Sequence, residues 1–143
     1  NLSADGKPRF HRIVTGLTAS LLLVSGGSIA ASAAVDTTPP HITEVSDSPD
    51  PFTPNGDGTK DKVVFKWTLD EKAVVTVKIF NTNGHLVRDL MRENLIPGVW
   101  TIPWNGKDNF KHALAPGTYN YRIRAVDHAD NARMVKGTST LKH

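Results

Sequence analysis

VVFKWTLDEKAVVTVKIFNTNG, residues 63–84, decides the fold. Val63, Phe65, Trp67 and Leu69 alternate with Val64, Lys66, Thr68 and Asp70, so an extended chain carries one wholly apolar face. Val75, Val77 and Ile79 alternate with Thr76, Lys78 and Phe80 in the same way. Between this strand and the next, Asn81-Thr-Asn-Gly84 supplies residues that accept the positive φ of tight β-turns.

The same reading extends in both directions. Upstream, His41 to Val45 predicts a short first strand, followed by a long turn-rich loop from Ser46 to Lys60. Downstream, Leu86 to Met91 continues the meander, and Trp100, Ile102 and Trp104 share one face after Pro97-Gly98. Asn105-Gly106 turns the chain again. Pro116-Gly117 then introduces Tyr119, Tyr121, Ile123 and Ala125, which alternate with Asn120, Arg122, Arg124 and Val126. Asp127 to Asn131 reads as a turn before a last strand from Ala132 to about Leu141. Seven short strands with almost no helical period predict an all-β, two-layer immunoglobulin or fibronectin-III-like sandwich over residues 41–143.

Particular segments carry a family likeness. Val77-Lys-Ile-Phe-Asn-Thr-Asn-Gly-His-Leu-Val-Arg88, Pro97-Gly98, Trp104-Asn-Gly-Lys-Asp108 and Pro116-Gly-Thr-Tyr-Asn-Tyr-Arg-Ile-Arg-Ala125 resemble the Ig-like domain of flagellar hook-capping proteins. Such domains also occur at the ends of many secreted bacterial proteins. Pro49-Asp-Pro-Phe-Thr-Pro-Asn-Gly-Asp-Gly-Thr-Lys-Asp61 is similar to the segment leading into the second strand of Ig-like modules in surface proteins. The resemblance implies an exported module. It carries over fold and not flagellar assembly, because a signal-like segment stands where a hook-capping protein has its hook-docking region.

The first third of the chain reads as an address. A basic cluster, Lys7-Pro-Arg-Phe-His-Arg12, precedes an uncharged run from Ile13 to Val35 whose densest apolar part ends at Val24. Small residues follow, with Ala31-Ser32-Ala33 matching an A-x-A site, so residues 1–33 are expected to be a secretory signal. An uncleaved anchor is the alternative, since such a run could span a bilayer core of ~30 Å. Asp36-Thr-Thr-Pro-Pro40 makes 34–40 a stiff linker, because proline fixes φ and biases its predecessor toward extended geometry. The expected location is secreted or cell-surface, with membrane contact through the amino-terminal segment alone.

Charge and cysteine content narrow the function. The 143-residue chain has net charge +3 and no cysteine, which removes disulfides, thiolate metal sites and thiol catalysis. Lys7, Arg9 and Arg12 against Asp5 account for most of that charge. From residue 34 onward, 14 Lys or Arg face 13 Asp or Glu, evenly interspersed along the chain. Nucleic acid is not expected as a partner. The chain has no G-x-S-x-G elbow, H-E-x-x-H pair or phosphate-cradling glycine loop, so no enzyme is expected.

Two candidate binding features remain. Asn55, Asp57, Thr59 and Asp61 stand at every second position around Gly56 and Gly58, a pattern that can converge oxygens on Ca²⁺. The competing reading is a turn in which Asn and Asp hydrogen-bond their own backbone. Trp104, at a strand end beside Asn105-Gly106, is the aromatic singled out as an exposed ligand contact, while the other Trp and Tyr residues read as core. His112 and His128 have no second histidine at zinc spacing. The expected function is a binding or spacer module at the cell surface, with a protein or polysaccharide partner. The alternative is an inhibitor of extracellular proteases presenting Arg92, from the Arg92 to Pro97 segment, or Lys111, from the Asp108 to Pro116 segment.

Overall fold

Alternation becomes pairing in a computed structural model that describes residues 35–143; the signal-like segment at 1–33 lies outside the described residues. Seven strands form: β1 (Ile42–Ser48), β2 (Val63–Leu69), β3 (Ala73–Phe80), β4 (Leu86–Leu95), β5 (Gly98–Trp104), β6 (Gly117–Val126) and β7 (Ala132–Leu141). They pair antiparallel in two sheets, of order β1-β2-β5 and β4-β3-β6-β7. This is the Ig-like sandwich that the alternation predicts.

The apolar faces of β2, β3 and β6 meet between the sheets. Phe65, Trp67, Val75, Val77, Ile123 and Ala125 are all fully buried, and each large side chain removed from water in this way stabilises by roughly 1.5–3 kcal/mol. Phe65 of one sheet packs on Tyr121 of the other with ring centroids 4.7 Å apart. Near the start of β6, the Tyr119 hydroxyl donates to the Ala115 carbonyl oxygen at 2.5 Å. This is the tyrosine corner of Ig-like sandwiches, which ties the chain's crossing between sheets to the core.

Three connections share one hydrogen-bond pattern. In residues 81–85, 108–112 and 127–131 the first backbone N–H donates to the fifth carbonyl, and the fourth N–H donates to the first carbonyl. The side chain of the first residue, Asn81, Asp108 or Asp127, accepts from the third and fifth N–H through Oδ1. The fourth residue takes positive φ: Gly84 at 84°, Lys111 at 70° and Asp130 at 67°. An Asx side chain is thus the common device, and Gly is needed less strictly than the sequence suggests.

Two strands run beyond their predicted ends. β1 continues to Ser48, past Val45, because Asp47 and Ser48 pair with Phe65 and Val64 of β2. β4 continues to Leu95, since Arg92, Glu93, Asn94 and Leu95 pair in turn with Thr76, Val75, Val74 and Ala73. Two outer edges are partly covered. Along β7, the Phe52 N–H donates to the Thr140 carbonyl at 3.0 Å and the Lys142 N–H to the Phe52 carbonyl at 2.9 Å. Along β4, Asn109 donates to the Val87 carbonyl and accepts from the Asp89 N–H through Oδ1. Such covers limit edge-to-edge association.

Candidate functional site

Asn55, Asp57, Thr59 and Asp61 all lie in the loop between β1 and β2. Asp61 accepts from the Gly56 N–H through Oδ1 at 2.8 Å and from the Gly58 N–H through Oδ2 at 2.7 Å. Asn55 accepts from the Asp57 N–H, and Asp57 from the Thr59 N–H. The Gly56 bond, with those of its neighbours, holds the Asp61 carboxyl below the usual carboxylate range. The loop therefore closes on its own backbone, the use that favours the turn reading; its carboxylates are spent on N–H groups that a cation would compete with.

Trp104 is not an exposed ligand contact. It is 1% exposed, with its ring 5.4 Å from Phe52 and 5.5 Å, edge-on, from Tyr119. Its Nε1 donates to the Lys107 carbonyl at 2.9 Å, so the following turn folds over it. Phe52, from the β1–β2 connection, closes the other side. Gly106 sits at φ 79°, where an added Cβ would come within 2.8 Å of Leu141 Cδ1. The small residue lets the turn lie flat on this cluster.

The two segments offered as protease-inhibiting loops differ. Arg92 lies in the β3–β4 ladder opposite Thr76, so it is a strand residue and presents no loop tip. Residues 107–113 do form a loop, in which Leu114 donates to the Gly106 carbonyl and Arg88 donates to the carbonyls of Lys107 and Asp108. Its most exposed apolar side chain is Phe110, 78% exposed. The sequence points to Lys111 and not to Phe110, because no strand period places a loop aromatic inside or outside.

Carboxylates gather at two places that no spacing in the sequence predicts. Asp36, Glu71 and Asp127 each bring an oxygen within 4.8 Å of the other two, and Glu71 and Asp127 are buried. The Asn131 amide bridges them, donating to the Asp36 carbonyl at 2.9 Å and to Asp127 Oδ2 at 3.1 Å. Among the described residues these are the ones whose donor set suits a metal ion, of the hard, oxygen-loving kind.

At the second place Asp47, on the core side of β1, has Oδ2 buried with no hydrogen-bond partner among the described residues. Burial, then the neighbouring Asp50 carboxylate, pushes the Asp47 carboxyl up to about 6. Asp50 is itself fixed by the Thr140 N–H at 2.8 Å. Between about pH 4 and 6 the folded protein then holds a proton that the unfolded chain releases, so this group costs stability as pH rises through that window. Partial exposure limits the loss to about 1 kcal/mol. Asp47→Asn is expected to raise the melting midpoint at pH 7 and leave it unchanged at pH 4. Parallel pH profiles for the two proteins would refute the assignment.

These features define an Ig-like β-sandwich with ordered, self-closed loops. The chain belongs to the CHU_C type IX secretion signal domain family, whose profile matches residues 46–140. That makes it a secreted or surface-associated Ig-like module of an exported protein. No curated protein matches it in sequence. In fold it is similar to FlgD from P. aeruginosa, at 20% identity and TM-score 0.49, over 77% of this chain and 76% of that one. It is also similar to PorZ, a surface component of the type IX secretion system of Porphyromonas gingivalis, at 20% identity and TM-score 0.41, over 70% of this chain and 12% of that one. Truncated FlgD from Helicobacter pylori is similar at 18% identity and TM-score 0.40, over 68% of this chain and 65% of that one.

Proposed function

We propose that the sandwich is a folded export signal, read as a shape by the type IX machinery, and that it serves at the cell surface as a non-catalytic binding or spacer module. The observation that carries this reading is the extent of the family match. Residues 46–140 run from within β1 to the penultimate residue of β7, so the family's signal is coextensive with the sandwich and is not a short linear tag. A receptor for such a signal needs strands held in register, which the two-sheet core supplies. The Asn55–Asp61 loop then serves to lead the chain into β2, and Ca²⁺ is not needed for the module to act.

The test is to express the full chain in a bacterium that has a type IX system and in a strain of it lacking the translocon. Surface proteolysis and fractionation should find the chain outside the outer membrane in the first and retained inside it in the second. The same distribution in both strains would overturn the reading.

A further inference from the structure

The charges that alternate evenly along the chain are not even in space. On the four-stranded sheet, the buried set Tyr121, Ile123 and Ala125 sends Arg122 and Arg124 to the outer face. Registration then lines up further cations beside them. Lys78 of β3 and Lys136 of β7 flank Arg122, and Arg92 of β4 stands in the row of Thr76 and Arg124. Adjacent strands are ~4.8 Å apart and alternate residues of a strand ~6.8 Å, so five cations form a grid. The acid on this face is Asp89, 3.8 Å from Lys78. The face thus takes five of the 14 basic residues from position 34 onward and one of the 13 acidic ones.

The geometry points to an anionic polysaccharide, bearing phosphate or carboxylate groups, as the ligand of this face. An array of cations, with Arg92, Arg124 and Lys136 exposed and Lys78 and Arg122 half-buried, suits a chain of repeating charge, and Arg offers planar two-pronged donors to either group. Thr76, Asn120 and Thr138 lie between or beside the cations and present neutral hydrogen-bonding groups to sugar hydroxyls. A protein partner is disfavoured because the Arg anchors of protein interfaces sit in dry, desolvated pockets, whereas Arg122 stands on an open sheet face between Lys78 and Lys136, and lysine is depleted at such interfaces. Here the aromatic of the face, Phe80, lies under the Arg122 guanidinium at 4.0 Å. Single-stranded nucleic acid is disfavoured for the same reason, since its bases need uncovered rings to stack on.

The proposal stands apart from the export reading, because it concerns the purified protein. Binding of the full chain to polygalacturonate and to a phosphomannan is measured by biolayer interferometry, with neutral dextran, single-stranded DNA and polyglutamate as comparators. Both glycans should bind, dextran should not, and affinity should fall between about 50 and 200 mM salt as counterions are released. Arg122→Glu with Arg124→Glu should weaken glycan binding at least about tenfold, whereas Lys66→Glu with Lys107→Glu, an equal charge change elsewhere, should weaken it less than about threefold. Arg122→Gln with Arg124→Gln, whose melting midpoint reports folding, should weaken binding by an intermediate factor. The proposal is overturned by absence of glycan binding, by equal loss in the two charge-reversed variants, or by DNA or polyglutamate binding more tightly than either glycan.

Discussion

Trp104→Ala is expected to destabilise the domain by about 3–5 kcal/mol, the range for deleting a buried large aromatic side chain. Three losses add at this position. The ring leaves a cavity between Phe52 and Tyr119, which pack on it at 5.4 and 5.5 Å. Its Nε1 hydrogen bond to the Lys107 carbonyl disappears, and the Asn105-Gly106 turn loses the surface it lies on. Against a typical domain stability of about 5–15 kcal/mol, this moves the urea midpoint far enough to measure without ambiguity. Trp104→Phe, which keeps a ring and loses the N–H, should cost about half as much. An unchanged midpoint in Trp104→Ala would mean that the ring is a surface group after all.

That case also shows how much of the molecule is legible in the chain. Period-2 alternation is enough to place β2, β3 and β6, because each contributes an unbroken row of buried side chains. It is not enough for β4, where register shifts between Val77 and Lys78 and between Ile79 and Phe80 break the alternation, and where Arg92 to Leu95 continue the ladder. The burial of Trp104 is not legible in its strand, because its cover comes from outside any strand. Phe52 stands in a proline-rich connection with no period, and its burial is fixed by hydrogen bonds to Thr140 and Lys142, far away in sequence.

Charge shows the same limit. Even spacing along the chain argued against a basic surface, yet registry between β3, β4, β6 and β7 brings cations from four strands to one face. The carboxylates of Asp36, Glu71 and Asp127 converge for the same reason: they lie in the linker before β1 and in two turns that only the closed sandwich brings together. Local features are more legible. The Asn55–Asp61 and Asp127–Asn131 segments both read as loops in the sequence and are loops in the fold, since Asx and Gly chemistry acts over a few residues.

The last expectation runs against strand propensity. Glycine inside a strand weakens it, so replacing Gly137 of β7 by alanine would ordinarily be neutral or stabilising. Gly137, however, lies directly opposite Tyr121 of β6, and a Cβ there would overlap the phenol, with ring carbon Cε2 at 2.7 Å. Tyr121 cannot swing away cheaply, because it is 5% exposed and its ring packs on Phe65. Either the ring leaves that contact or β7 lifts from β6, and overpacking of this kind costs about 1–3 kcal/mol. Gly137→Ala is therefore expected to lose about 2 kcal/mol and Gly137→Val more. The decisive comparison is a double-mutant cycle. In a Tyr121→Ala background, already destabilised, Gly137→Ala should cost little or stabilise, giving a coupling of about 2 kcal/mol between the two positions. If Gly137→Ala costs the same with and without the Tyr121 ring, the glycine is present for the backbone and the ring has no part in it.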